Sequence, residues 1–257
     1  MKPLRRWFAD TRRARVPRAP ATLAPGQRLY CIGDIHGCAN LLRALHVQIA
    51  ADAEGYEGEL QLVYLGDYID RGEHSKEVID LLLSEPLEGF DTITLRGNHE
   101  QALLDFLEHP ERAQAWLGFG GLATLLSYGV RLRHAPFAAE LPELALELRD
   151  RLPQDHLEFF KRLPLQHVAG GYWFVHAGIR PGLALERQHP DDLLWIREDF
   201  LSHPGPHDAV VVHGHSITEE VELFEHRIGL DTGAYYSGVL SCLVLEGSQR
   251  RLLQTTP

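Results

Sequence analysis

Gly33-Asp34-Ile35-His36-Gly37, Gly66-Asp67-Tyr68-Ile69-Asp70-Arg71-Gly72 and Gly97-Asn98-His99-Glu100 share one arrangement, in which glycines and potential ligand residues follow a short apolar run. The runs are Leu29 to Ile32, Leu62 to Leu65 and Thr92 to Arg96, and their length and composition predict strands. The pattern returns where Trp173 to Val175 leads into His176-Ala177-Gly178 and Val210 to Val212 leads into His213-Gly214-His215. In an open α/β sheet the carboxyl ends of the strands border the crevice where ligands bind, and glycine lets the backbone turn sharply there. A lone Asp or His after a strand is usually a cap or a turn residue. Five such sets at one edge are different, because without a cation they would crowd like charges.

Outward from these segments, apolar runs alternate with helical periodicity at roughly thirty-residue intervals, the spacing of successive strand and helix units. Helices are predicted over about Ala39 to Ala53, Ser75 to Leu83, Glu100 to Leu107, Leu141 to Arg151 and Gln154 to Arg162, and a sixth strand over Val239 to Leu245. At 257 residues, 44% hydrophobic and 24% charged, the chain fits one large α/β domain. No apolar stretch is long enough to span a bilayer. Cys31, Cys38 and Cys242 have neither zinc-knuckle spacing nor an even disulfide framework, so a reducing cytoplasm is expected. None of them begins a Cys-x5-Arg loop, and no GxxxxGK[ST] loop is present, which excludes cysteine-dependent phosphatases and P-loop enzymes.

Charge is divided unevenly. Lys2, Arg5, Arg6, Arg12, Arg13, Arg15, Arg18 and Arg28 face only Asp10, a net +7 before residue 29, which leaves -18 for the remainder of a chain whose total is -11. So acidic a body is not expected to bind nucleic acid. Residues 1–27 read as a basic, flexible arm without a signal-peptide core, or as a segment that docks on an anionic surface or partner. The catalytic domain is expected over 28–257, with a helical insertion at about 108–165.

In their order, GDIHG, GDYIDRG, GNHE, HAG and HGH resemble the phosphoprotein phosphatase branch of the calcineurin-like metallophosphoesterases, and most closely its bacterial serine/threonine protein phosphatases. Leu193-Leu194-Trp195-Ile196-Arg197 and Asp231-Thr232-Gly233-Ala234 extend the resemblance to residues 28 to about 247. It implies a central β-sandwich flanked by helices, with a dimetal site at the strand carboxyl ends. It also implies roles: Asp34 and His36 on the first metal, Asp67 bridging, and Asn98, His176 and His215 completing the second. The donors are oxygen and imidazole without thiolate, which suits Mn²⁺, with Fe or Zn as alternatives. His213 stands where the family usually has an apolar residue, so His215 is the expected ligand and His213 a packing or supporting residue. A metal-bridging hydroxide is expected to attack phosphorus. The resemblance makes His99 the proton donor to the leaving group, oriented by Asp70, and places Arg71, Asn98 and Arg197 on the phosphate. Two divalent ions less Asp34, Asp67 and hydroxide leave +1, which the two arginines raise to +3, so the acidic body does not preclude an anionic substrate.

Two enzymatic readings and one other remain open. Asp70-Arg71-Gly72 and Glu100 favour a phosphoserine/phosphothreonine protein phosphatase, phosphotyrosine included, over a symmetrical dinucleoside tetraphosphate hydrolase, which typically has Ala-Arg-Gly and GNHD there. A regulatory module with an inactive site is the third. Substrate choice is expected between Gln101 and Gly171, where the residues Trp116 to Gly121 either wall the site or pack beneath helices, and Tyr235 is a weaker pocket candidate. Oligomeric state is left open.

Overall fold

The computed structural model describes residues 21–256 apart from 113 and 133. Alternation along the first strand explains the layering. In β1 (Gln27–Ile32) Leu29 and Cys31 face one way, while Tyr30 and Ile32 face the other. Strands β2 (Glu59–Tyr64) and β3 (Phe90–Thr94) lie parallel beside it, and β9 (Ser241–Glu246) and β10 (Gln249–Gln254) complete the first sheet in the order β10-β9-β1-β2-β3. The second sheet runs β4-β5-β6-β8-β7, from β4 (Gln166–Ala169), β5 (Tyr172–Val175), β6 (Val210–His213), β7 (Glu222–Leu223) and β8 (Arg227–Gly229).

Leu29, Cys31, Val63, Leu243 and Leu245 of one sheet meet Tyr172, Phe174, Val212 and Ile228 of the other, so the two pack face to face as a sandwich. Helices cover both outer faces. α1 (Ala39–Ala53) buries Leu42, Leu45, His46 and Ile49, a helical stripe, against Tyr30 and Ile32. α2 (Ser75–Ser84), α3 (Asn98–Glu108), the short α4 (Gln114–Trp116), α5 (Leu122–Ser127), α6 (Leu141–Arg151) and α7 (Gln154–Arg162) share that layer, burying Val78, Phe106, Trp116, Leu125, Leu148 and Phe160. On the other side α8 (Pro190–Trp195) and α9 (Glu198–Leu201) set Leu193, Ile196 and Phe200 on Trp173, Val175 and Val211. α10 (Ala234–Ser237) precedes β9.

Thus the helical stretch at 141–162 packs as part of the domain. All six predicted strands and the two predicted helices that become α2 and α3 shift at their ends, while α1, α6 and α7 keep the expected bounds. The predicted arm reaches too far. Leu23 is buried between the sheets, its amide donates to the Gly247 carbonyl, and Thr22 O accepts from Gly171 N, each at 3.0 Å. Arg28 itself is paired with Glu246 and Asp52. The basic residues of the arm, Lys2 to Arg18, lie outside the described residues. Among those described, no helix is long and apolar enough to cross a membrane.

β1, β2 and β3 are parallel, as are β5, β6 and β8, so their carboxyl ends gather at one edge. The ligand-rich segments emerge there.

Candidate active site

The loop after β2 is the hub. Asp67 is buried, its Oδ2 3.5 Å from His36 Nε2 and 3.7 Å from His99 Nε2, its Oδ1 3.4 Å from His176 Nε2. It therefore belongs to two clusters whose ligand atoms lie within 4.8 Å of one another, His36-Asp67-His99 and Asp67-His176-His215. Gly97 permits this convergence, since a Cβ there would strike the Asp67 carboxylate. Glu100, also buried, accepts from the amides of Asp67, Tyr68, Ile69 and Gly97 at 2.8–3.3 Å and so pins this loop to the start of α3. Among the described residues, the non-glycine residues with left-handed backbone are His36, Asp67, Asp70, Arg71 and His215, each at φ between 45° and 72°. Such conformations cost about 1–3 kcal/mol each and collect where the surroundings over-determine them.

Hydrogen bonding fixes the ring tautomers. His36 Nδ1 donates to Ile69 O at 2.8 Å and His176 Nδ1 to Leu65 O at 2.9 Å, which leaves the lone pair on Nε2 in both. His176 Nε2 then faces Asn98 Oδ1 at 2.8 Å, two acceptors converging on one point. His36 Nε2, His215 Nε2, Asp34 Oδ1 and Asp231 Oδ2 are buried without a hydrogen-bond partner. Burial holds His36 down at about 3 and His215 at about 2, and lowers His176 as well, so all three are neutral at physiological pH, each able to offer a lone pair. Burial works against ionisation of Asp67, but His176, His99 and His36 outweigh it and hold the carboxyl low. Converging lone pairs and acidic oxygens sealed from water are the environment a divalent cation stabilises, so the donor set fits a metal pair.

Asp34 falls outside both clusters. Its Oδ2 accepts from His215 N at 2.9 Å, and burial together with Asp231 and Asp67 pushes its pKa well up. Asp231, buried beside it, is raised to about 6 by burial, with Asp67 adding to the shift. No role was assigned to Asp231 from sequence. It follows β8, a three-residue strand with arginine at its start that no periodicity reveals.

His99 differs from the other histidines. Its Nδ1 sits 2.6 Å from Asp70 Oδ2, and although burial opposes protonation, Asp67 and Asp70 raise its pKa to about 9. Asp70 is fully buried and also accepts from Trp116 Nε1 at 2.8 Å and Thr124 Oγ1 at 2.5 Å, while its amide donates to Thr124 Oγ1 and Ser75 Oγ. Trp116, Thr124 and Ser75 were not named as site residues from sequence, though Trp116 lies in the stretch left open between wall and packing. It packs on Phe106 with ring centroids 4.7 Å apart.

Arg71 places Nη2 3.4 Å from His99 Nε2 and its guanidinium over the Tyr235 ring. Arg197 is exposed, with Nη1 3.3 Å from Ser216 Oγ. His213 belongs to neither cluster: its Nδ1 meets Gly214 O, its Nε2 lies 3.4 Å from Arg227 Nη1, and Phe200 packs across it.

A dimetal-type ligand set at the carboxyl edge of a β-sandwich defines a metal-dependent phosphoesterase. The chain belongs to the calcineurin-like phosphoesterases, whose family profile matches residues 27–238. It is similar to the bis(5′-nucleosyl)-tetraphosphatase PrpE [asymmetrical] of Bacillus mycoides (strain KBAB4), 24% identical over 82% of this chain and 88% of the relative. Among solved structures it resembles a protein provisionally assigned as a diadenosine tetraphosphatase, with TM-score 0.61 and 22% identity over 92% of this chain and 98% of that one. A serine/threonine phosphatase from Saccharomyces cerevisiae shares the fold at TM-score 0.52 and 14% identity, over 93% and 84% of the respective chains.

Proposed function

We propose that this chain hydrolyses dinucleoside tetraphosphates, breaking a phosphoanhydride bond between the two nucleosides. The observation that carries this reading is the likeness, over 82% of the chain, to a protein named bis(5′-nucleosyl)-tetraphosphatase. The sequence leaned toward a protein phosphatase partly on Glu100. That residue braces the backbone of the Asp67 loop, so its identity weighs less on substrate choice.

In this reading Asp34 and His36 would hold a first divalent cation, Asp67 would serve both sites, and Asn98, His176 and His215 would hold a second. Manganese suits these donors, with iron or zinc as alternatives. Two such cations, when bound, supply a nucleophilic water at neutral pH and offset charge at phosphorus. Arg71 and Arg197 offer forked donors to the phosphoryl oxygens, and Asn98 adds a neutral contact. His99, oriented by Asp70, passes its Nε2 proton to the departing oxygen.

One observation favours a second reading. A departing nucleotide leaves as a stable phosphate anion, whereas a serine or threonine alkoxide needs a proton, and the His99–Asp70 pair at 2.6 Å is built to give one. The phosphoprotein phosphatase reading rests on that pair.

The test compares specificity constants of the manganese-loaded protein for a dinucleoside tetraphosphate and for a panel of phosphopeptides. The dinucleoside is expected to be cut more than tenfold faster, and the reverse order would install the second reading. Product analysis adds the cleavage position: two nucleoside diphosphates mark symmetrical cutting, a triphosphate plus a monophosphate asymmetrical cutting.

A further inference from the structure

Aromatic exposure is concentrated around the metal-binding crevice. Of six exposed large aromatics among the described residues, four stand there: Phe119, Trp195, Tyr235 and Tyr236, at 46%, 40%, 39% and 61% exposure. They form two groups. Trp195, at the end of α8, sets its ring edge-on to His215 with centroids 6.3 Å apart, and Phe119 lies 6.4 Å from Trp195 at a 55° tilt. Tyr235, in α10, stands edge-on to His36 at 5.7 Å and 5.2 Å from Tyr236, with the Arg71 guanidinium on its face. One group therefore borders the Asp67-His176-His215 cluster, the other the His36-Asp67-His99 cluster.

These side chains are held out by the fold. Trp116, three residues before Phe119, turns inward to Asp70, and Gly120, at φ 114°, brings the chain so close that its carbonyl accepts from Arg71 N at 3.2 Å. Phe119 is thereby presented beside the phosphate-binding arginine. Leu193 and Leu194 anchor α8 in the core, leaving Trp195 as its exposed end.

We propose that these groups are two nucleobase platforms, one for each end of the dinucleoside: Phe119 with Trp195 beside the second metal cluster, Tyr235 with Tyr236 beside the first. The assignment rests on the dinucleoside tetraphosphate reading. Every base has a π-face, so stacking on aromatics gives affinity with little base selectivity. A tetraphosphate bound along the two clusters would put one base on each side. A phosphoserine side chain has no ring to use either surface. Trp195 and Tyr235 keep 40% and 39% of their surface exposed despite these neighbours, ring surface that a flat partner could cover.

The experiment takes the manganese-loaded full chain and the variants Phe119→Ala, Trp195→Ala and Tyr235→Ala. Each is expected to raise KM for a dinucleoside tetraphosphate roughly 5- to 100-fold with kcat changing far less, since stacking on one ring supports affinity on that scale. Each is expected to lose roughly fivefold or more in specificity constant on that substrate relative to phosphoserine. Adenosine monophosphate should quench tryptophan fluorescence more than ribose 5-phosphate does, and Trp195→Phe, which keeps a ring for stacking, should remove that difference. A wild-type protein that cuts phosphoserine but no dinucleoside tetraphosphate overturns the substrate reading and the platforms together. A wild type that cuts the dinucleoside, with all three alanine variants unchanged in KM, overturns the platforms alone. So does a quench that persists in Trp195→Phe, or a phosphopeptide whose KM rises as much as the dinucleoside's.

Discussion

His36, His176 and His215, the proposed ligands, share a crevice with His99 and are held in the opposite way. His36 and His176 are anchored through Nδ1 on backbone carbonyls and, with His215, kept neutral by burial, their Nε2 atoms turned to a centre rich in unshared electron pairs. His99 is anchored through Nδ1 on a carboxylate that is itself satisfied by Trp116 and Thr124, and its pKa is raised to about 9. In the proposed reading the first set would be completed by cations from outside, while the second is completed by the protein itself. The same side chain thus becomes a ligand or an acid according to what its other nitrogen meets.

The comparison is tested hardest where the two sets meet. Asp67→Asn removes the charge common to both clusters. Turnover is expected to fall about 10³-fold or more on every phosphate substrate, because cation charge and nucleophile generation are lost together. Manganese, which should raise the melting temperature of the wild type through preferential binding to the folded state, should barely raise that of the variant. Chelation should abolish wild-type activity and manganese restore it. A variant that keeps both the metal-dependent stabilisation and more than a tenth of the activity would break the assignment of Asp67 as the bridge.

His99→Asn should separate the sets. Metal content is expected to stay within error of the wild type, while turnover of alkyl phosphates falls roughly 10²- to 10⁴-fold and that of activated aryl phosphates far less. Loss of bound metal would move His99 into the first set, a real alternative given its place 3.7 Å from Asp67.

Smaller effects are expected one layer out. Thr124→Val and Trp116→Phe remove donors from Asp70 with little change in shape, and each should reduce alkyl phosphate turnover about tenfold, the scale of one hydrogen bond to a charged group. In the His99→Asn background the same changes should add little, because residues acting through one another are not additive. Full additivity would make Thr124 and Trp116 merely structural.

Legibility in the sequence follows the same division. Each ligand loop ends a parallel strand, so chain order alone carries Asp67, His176 and His215 to one edge. Asp231 escaped because β8 has three residues and no apolar alternation. Trp116 and Thr124 lie 46 and 54 residues from Asp70, contacts only tertiary packing can create. Within Trp116 to Gly121 both expectations hold, one per residue: Trp116 packs beneath the helices and Phe119 lines the crevice. Backbone turning at Gly120 hides that split from any periodic reading. Glu100 reads in the sequence as a signature of the protein phosphatase branch, and its contacts, all to backbone amides, can only be seen once the Asp67 loop and the start of α3 are brought together.

His213 offers the smallest effect and the sharpest boundary. It is as buried as any ligand, two residues from His215, and its pKa is depressed to about 4 by burial. By burial and charge state it belongs with the ligands; by direction it does not, since its nitrogens meet Gly214 O and the side of Arg227, which Glu222 also pairs. His213→Phe keeps a ring against Phe200 and leaves Arg227 its carboxylate. It should retain two metals per chain and specificity constants within about threefold, with stability lowered by about 1 kcal/mol for the lost polar contacts. If metal analysis instead found one ion per chain, direction would no longer distinguish ligand from packing residue, and the division between the two sets of histidines would have to be redrawn.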